Sequence, residues 1–184
     1  MIYFITSNRH KYEEIKKIVG YEIEMKNIPY PEIQASILEE VAKYGIEYLK
    51  DKIHDYFFIE DSGLFIKALK GFPGVFSSYV FKTIGNKGII KLMENVQDRQ
   101  AEFVSVIAFY DGELHIFKGI CKGKIAKEIK GSKGFGYDPI FIPNGCEKTF
   151  GEMSREEKNK YSHRGMAARK LKEFLDRAHP IIPF

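Results

Sequence analysis

The feature that most constrains this chain is an apolar run that ends in two adjacent acids. The run 56–59 is typical of a buried strand, and Glu60 and Asp61 follow it directly. We expect Ser62-Gly63 to turn the backbone and a second apolar run, 64–69, to lead away. Strand ends are where α/β proteins usually place ligand chemistry, so this stretch is the first candidate site.

The acid pair has two explanations on sequence alone. Neighbouring carboxylates repel each other, and burying them is costly unless a cation balances them. A divalent metal would balance them, and oxygen ligands suit Mg²⁺. In the other explanation, the acids cap a turn and stay in water. Both explanations remain open at this stage.

Composition favours a soluble globular protein of the cytoplasm. Among 184 residues, 44% are apolar and 29% are charged, and no apolar run is long enough to cross a membrane. Residues 1–5 predict a first strand and not a signal peptide. Cys121 and Cys146 form neither a metal-type pair nor a disulfide framework, which favours a reducing compartment. The net charge of +4 fits an anionic small substrate or weak nucleic-acid binding.

Periodicity predicts an α/β chain with a mixed sheet, because helices join the early strands and hairpins join the later ones. Asp111-Gly112 is a strong hairpin turn. Capping boxes are predicted at Ser36 with Glu39 and at Ser154 with Glu157. The predicted strands are 2–6, 21–28, 56–59, 103–110, 114–120, 123–129 and 140–143, and the main helices are 12–19, 38–50, 85–96 and 165–177.

The first strand enters a helix through a polar turn, Thr6 to Lys11. The free N–H groups of a helix start bind phosphate well, and Lys11 would add a charge. The glycine spacing of a Walker loop is absent. The alternative is that Ser7 or Asn8 is an ordinary N-cap.

A glycine-rich stretch at 131–139 is the second candidate site. Its glycines allow close approach to a ligand, and Phe135 and Tyr137 offer planar faces for a base. The alternative is a hairpin with both rings packed inward.

Lys158, His163 and Arg164 cluster near a predicted helix junction. Such a cluster can hold phosphates, with arginine forming a two-pronged contact. The alternative is an ordinary surface feature.

Taken in order, these segments resemble the inosine triphosphatase family (the Ham1-like enzymes), which act on non-standard purine nucleotides. Ser7 departs from the family pattern, which usually has Gly there, and Gly151 stands where the family often has Ala. The compact length is similar to that of the archaeal members. The segments that carry the resemblance are 6–8 with Lys11, 30–34, 60–64, 71–74, 135–139, 149–153, and Lys158 with 162–164.

The resemblance implies a nucleoside-triphosphate pyrophosphatase. Such an enzyme would hydrolyse ITP, XTP and dITP to the monophosphate and pyrophosphate with Mg²⁺, cleansing the nucleotide pool. It also implies one domain over residues 1–184, with an elongated mixed β-sheet flanked by helices that form two lobes around a central nucleotide cleft. A homodimer is implied as well.

The resemblance also implies the roles of particular residues. Glu32 and Asp61 would hold the metal, and Asp61 would be the catalytic base that activates water. The implied substrate-binding residues are Thr6, Ser7, Asn8, Arg9, His10, Lys11, Ser62, Phe135, Gly136, Tyr137, Asp138, Lys158, His163 and Arg164.

Base selection has a physical logic. Inosine and xanthosine present a 6-oxo acceptor, whereas adenine presents a 6-amino donor. Donors such as Arg164 or His163 aimed at this position would be left unpaired by adenine. We therefore expect either side chain to read the 6-oxo group, with Phe135 as the stacking face.

Two other functions remain possible on sequence alone. One is a broader metal-dependent nucleotide phosphohydrolase, which would release orthophosphate. The other is a nucleic-acid-binding module built on the lysine-rich stretch 118–133. The acid motifs argue against nucleic acid, because carboxylates repel phosphate, and no membrane partner is expected. The apolar tail 179–184 is expected to dock on the body or on a partner subunit.

Overall fold

The computed structural model describes residues 1–178, so the tail 179–184 and its predicted docking lie outside the described residues. The strands are β1 (Ile2–Ile5), β2 (Ile23–Lys26), β3 (Tyr56–Ile66), β4 (Gln100–Tyr110), β5 (Leu114–Ile125) and β6 (Phe141–Pro143). The α-helices are α1 (Arg9–Val19), α2 (Leu38–Leu49), α3 (Ser77–Thr83), α4 (Gly85–Leu92), α5 (Arg155–Tyr161) and α6 (His163–Ala178).

The strands form one mixed sheet in the order β2-β1-β3-β4-β5-β6. β1 pairs in parallel with both β2 and β3, and the later pairs are antiparallel. The helices α1 and α2 provide the long connections that parallel strands need, whereas Asp111-Gly112 closes a hairpin between β4 and β5. The predicted α/β class and mixed sheet are confirmed.

β3 runs through the acid pair without a break, so the predicted turn at Ser62-Gly63 is wrong. β4 pairs with β3 in register from Phe57 to Ile66, and this ladder keeps the backbone extended. Gly63 has a different reason to be glycine: a Cβ there would meet the carbonyl oxygen of Gly74, which packs over the strand. The glycine therefore permits a close approach of two segments.

β1 stops short of the acid pair. Its parallel pairing with β3 ends at Phe4 and Phe58, whereas β3 continues beyond them. Glu60 and Asp61 therefore lie where β1 no longer flanks β3, and a cleft opens at that edge.

Side chains alternate across β3, and the two faces of the sheet have separate cores. Phe58 packs in a cluster with α1 and α6, whereas its neighbour Ile59 packs in a cluster with α2. Leu64 belongs to a third cluster, near β6. The same alternation carries Glu60 and Asp61 to opposite faces.

Two local predictions differ from the structure, and a third is confirmed for its N-cap. Ser36 does not cap α2, whose N-cap is Ile37 without a side-chain bond, and Glu39 pairs with Lys118 on β5 at 2.7 Å. The predicted strands 114–120 and 123–129 are one strand that ends at Ile125. At the second predicted box, Ser154 does cap α5, accepting from the N–H of Glu157. Among residues 1–178, no helix has the length and apolarity needed to cross a membrane.

Candidate active site

A cavity of about 760 Å³ lies at the edge where β1 ends, and it gathers nearly all the predicted site residues. Lys158 is the exception, because it lines a neighbouring recess of about 280 Å³. The predicted residues on the large cavity are Thr6 to Lys11, Glu32, Asp61, Ser62, Phe135 to Asp138, His163 and Arg164. Segments distant in sequence therefore meet in one cleft.

The polar turn before α1 is held by its own side chains. Asn8 is the N-cap and accepts from the N–H of Lys11 at 3.2 Å, while Thr6 Oγ1 accepts from the N–H of Asn8 at 3.0 Å. The ordinary N-cap explanation is thus confirmed for Asn8, and it leaves a helix start facing the cleft. In the described chain, positive φ outside glycine occurs only at Lys70 and Asn95. Ser7 in place of the usual Gly is therefore unstrained.

Glu60 lies on the α6 face of β3 and is surrounded by donors. Lys11 Nζ lies 2.8 Å from Oε2 in an ionic contact and donates to the Glu60 carbonyl at 3.1 Å. Ser105 and Arg164 donate to Oε1 at 2.6 and 3.0 Å. Burial alone would raise the pKa of Glu60, but Arg164 and Lys11 outweigh it and hold the pKa at about 2. Glu60 is therefore a fixed anion.

Asp61 lies on the opposite face and has the contrary environment. Its Oδ2 is buried without a hydrogen-bond partner among residues 1–178. Burial raises the pKa of Asp61 to about 7, with Lys11 opposing this shift and Glu60 and Glu32 adding to it. An unpaired carboxylate facing a cleft can accept a proton or a cation.

Glu32 is the other predicted metal ligand. It is an exposed side chain on the irregular connector between β2 and α2, and it borders the cavity. Both carboxylates line the same cavity, and the Glu32 charge adds to the raised pKa of Asp61. Among residues 1–178, no group of three or more His, Cys, Asp or Glu side chains forms a metal cage.

A buried network of alternating charges forms the inner wall of the cleft, comprising Glu14, Asp138, Lys158 and Arg164. Lys158 Nζ contacts Glu14 and Asp138, both at 2.7 Å. Arg164 Nη1 donates to Glu14 at 2.7 Å, and its Nη2 donates to Ser62 at 2.9 Å. Each side chain is at most 4% exposed, so the wall is held rigidly.

The wall residue Glu14 and the cavity residue Tyr30 were not predicted. Glu14 follows Lys11 by three positions, which places both on one face of α1, and this spacing is the signal that could have identified it. Tyr30 packs its ring against Gly45 of α2. Burial, together with the Asp61 and Glu32 charges, raises the pKa of the Tyr30 phenol above its usual range.

The loop before β6 presents Phe135 and buries its neighbours. Tyr137 donates its hydroxyl to the carbonyl of Ser77 at 2.7 Å, and Asp138 accepts from the N–H of Phe135 at 3.0 Å. The carbonyl of Gly136 accepts from Asn86 at 3.0 Å. Tyr137 and Asp138 therefore shape the loop, and Phe135 is its half-buried ring at the cavity.

His163 is a buried, neutral side chain. Its ring stacks on Phe103, with centroids 4.5 Å apart and planes 9° apart. Burial lowers the pKa of His163 well below 6.5, and the charges of Arg164 and Lys158 lower it further. Its Nδ1 has no hydrogen-bond partner in the described chain. Ser162 caps α6 beside it, accepting from the N–H of Gly165 at 2.9 Å.

Comparisons with known proteins agree over nearly the whole length. The sequence profile of the Ham1 family matches residues 2–174. The dITP/XTP pyrophosphatase of Thermococcus kodakarensis is 55% identical over 94% of this chain and 95% of its own. That of Pyrococcus horikoshii is 56% identical over 95% and 96%. The solved Ham1 protein of Staphylococcus aureus has a TM-score of 0.83 and 31% identity, covering 96% of this chain and 98% of its own.

Proposed function

This chain belongs to the Ham1 family, and we propose that it is a pyrophosphatase of non-standard purine nucleoside triphosphates. Its substrates are ITP, XTP and dITP, and its products are the nucleoside monophosphate and pyrophosphate. The names of its relatives at 55% and 56% identity support this reaction class. The family's task of cleansing the nucleotide pool fits an enzyme of the cytoplasm, and both cysteines are free thiols.

The unpaired carboxylate of Asp61 is the observation that carries the proposal. Asp61 Oδ2 has neither a hydrogen bond nor an ion pair among residues 1–178. Glu60 beside it contacts Lys11 through Oε2 at 2.8 Å and accepts from Ser105 and Arg164 through Oε1. Asp61 takes the proton of a water that attacks in line with the bond between the α- and β-phosphates. The water oxygen bonds to the α-phosphorus, the bond from that phosphorus to the α,β-bridging oxygen breaks, and pyrophosphate leaves.

Charge balance supports a divalent cation at the rim of the cleft. Lys11, Lys158 and Arg164 are already paired with three buried carboxylates, so they leave little positive charge for a triphosphate. Glu32 and Asp61 suit Mg²⁺, which is typically held by one or two carboxylates together with substrate phosphates. When bound, Mg²⁺ would offset charge that develops on the phosphates.

The helix start binds the phosphates, and the inner wall recognises the base. At the helix start the N–H groups of Ser7, Arg9 and His10 bind phosphates, because those of Thr6, Asn8 and Lys11 already donate within the protein. Arg164 retains one further N–H on each terminal nitrogen, and His163 is neutral, so either can read a 6-oxo group at the wall. A 6-amino group would leave such a donor unpaired, which disfavours adenine.

We propose that the protein is a homodimer formed through the segment from 72 to 92. This segment exposes several large apolar side chains, which are Phe72, Phe76, Tyr79, Phe81, Ile84 and Leu92. Several exposed large apolar side chains along one segment favour an interaction surface there. Light scattering at micromolar concentration would give twice the chain mass, and a monomer would contradict this.

The reaction is tested by measuring pyrophosphate and orthophosphate release from ITP, XTP, dITP, ATP and GTP, with and without Mg²⁺. We expect metal-dependent pyrophosphate from the first three and little from ATP or GTP. Orthophosphate as the product would instead indicate a broader phosphohydrolase. Pyrophosphate from all five would retain the chemistry and contradict the proposed base selection.

A further inference from the structure

The face of Phe135 is covered by a histidine. The imidazole of His10 stacks on the Phe135 ring, with centroids 5.1 Å apart and planes 18° apart. A flat, nitrogen-containing ring in near-parallel contact is the arrangement that a purine would adopt on the same side chain. A base can therefore stack on this face of Phe135 only if His10 moves away from the ring.

The other groups over Phe135 cannot move aside easily. Lys158 Nζ lies 4.8 Å and Arg164 Cζ 5.2 Å from the centre of the ring. Each cation is 3% exposed or less and is bonded to two carboxylates. His10, in contrast, is exposed, and its side chain makes no hydrogen bond within residues 1–178. Space for a base must come from the His10 side.

The structure has room for that movement. His10 lines both the large cavity and the recess of about 280 Å³ that also contains Gly134 and Lys158. A base at van der Waals distance from two flanking rings separates them by about 7 Å. The imidazole therefore has to shift outward by roughly 2 Å. The backbone of the turn stays fixed by the cap at Asn8, so the side chain alone can make this shift.

We propose that the purine of the substrate inserts between Phe135 and His10, and that the imidazole stacks on the outer face of the base. The proposal rests on the proposed function, since it needs a purine nucleotide in this cleft. It gives the turn from Thr6 to Lys11 two tasks: its backbone binds phosphate, and one of its side chains clamps the base. His10 is thereby a specificity-determining residue for planar bases.

The absence of tryptophan from the whole sequence allows a direct test. H10W places a single indole at the clamp, and K16W places one on the exposed side of the same helix as a matched control. We expect inosine monophosphate to quench the indole in H10W and not in K16W. Inorganic tripolyphosphate, which has no base, should quench neither.

Steady-state kinetics with ITP provide a second test of the proposal. Loss of stacking on one face is worth roughly fivefold or more in binding, so H10A should raise KM by about that factor and leave kcat nearly unchanged. H10F should restore KM. A lowered KM in H10A would mean that the imidazole only competes with the base, and an unchanged KM would mean that it does not touch it; either result overturns the proposal.

Failure of the clamp differs from failure of the proposed function. Calorimetry on the wild-type protein shows whether inosine monophosphate binds at all. Binding without quenching in H10W overturns the clamp and leaves the reaction class intact. No binding, together with no pyrophosphate release from ITP, overturns the proposed function itself.

Discussion

The two sides of the cleft differ in whether their buried charges have partners. On the inner wall, Glu14 and Asp138 alternate with Lys158 and Arg164, and every charge has a partner within 2.7 to 3.0 Å. On the rim, Asp61 is half-buried, and its buried Oδ2 has no hydrogen-bond partner among residues 1–178. The wall is complete without a ligand, whereas the rim needs one.

Glu60 and Asp61 show this difference at adjacent positions. Burial by itself raises the pKa of each, yet cations hold the pKa of Glu60 at about 2, while that of Asp61 rises to about 7. Because strand residues alternate between faces, one acid meets Lys11 and Arg164 and the other meets the cleft. This contrast is the reason we propose that Asp61, and not Glu60, carries the chemistry at the acid pair.

The largest effect is expected when the charge of Asp61 at the rim is removed. We expect D61N to lower kcat by about 10²–10⁴-fold, because the group that accepts the proton is lost. The melting temperature should stay the same or rise, since an unpaired buried charge is removed. Pyrophosphate release and thermal denaturation measure the two effects. Retention of more than about a tenth of kcat would contradict a role as base or essential ligand.

At the wall, removal of a charge should cost stability. E14A leaves Lys158 and Arg164 each short of a carboxylate, and we expect the free energy of unfolding to fall by about 3–5 kcal/mol. Denaturant unfolding measures this loss. E13A, at the neighbouring half-buried position with ionic contacts of 3.7 and 3.9 Å, is the control and should change the free energy of unfolding by about 0.5 kcal/mol or less. Equal losses in the two variants would show that the wall is not a coupled network.

His163 and the wall residue Glu14 should each make stability depend on pH, in separate ranges. The folded-state pKa of His163 lies below 6.5, so the unfolded chain binds its proton first, and the contribution of His163 to the free energy of unfolding falls as pH drops below about 6.5. Asp61, whose pKa is raised to about 7, contributes with the opposite sign over the same range, so the comparison is made between variants and not from the net slope. Protonation of His163 alone changes the free energy of unfolding by up to about 1.4 kcal/mol per pH unit. Glu14 has a lowered pKa, and its contribution is lost as pH falls below 4.5. Stability measured from pH 7 to 5 should decrease less, or increase more, in H163N than in the wild type, and an unchanged slope would exclude His163 as the cause.

The smallest effect is expected at the helix start. Ser7 has no positive φ, so S7G relieves no strain and only loosens the unfolded chain. We expect a loss of about 0.4–1 kcal/mol in unfolding free energy and a KM for ITP within roughly twofold of wild type. Initial rates of ITP hydrolysis measure KM, and denaturant unfolding measures the free energy of unfolding. A more stable or tighter-binding S7G would mean that the turn is strained after all.

The sequence by itself predicted the alternation of strands and helices, the mixed sheet and the ordered polar segments. These follow from local rules, since the burial period, the Asp-Gly hairpin turn and the cap at Asn8 depend on residues close in the chain. The ordered segments also indicated the family, which the profile over residues 2–174 confirms. Local rules failed at Ser62-Gly63, where turn residues lie inside a long strand.

Only the tertiary structure decided the electrostatics of the site. The ladder with β4 keeps β3 extended through Glu60 and Asp61, and that sends the two acids to different faces. Arg164 reaches Glu14 across 150 positions of sequence, and Lys158 reaches it across 144. A carboxylate's pKa depends on which charges lie within a few ångströms of it, and those charges come from segments that only folding brings together.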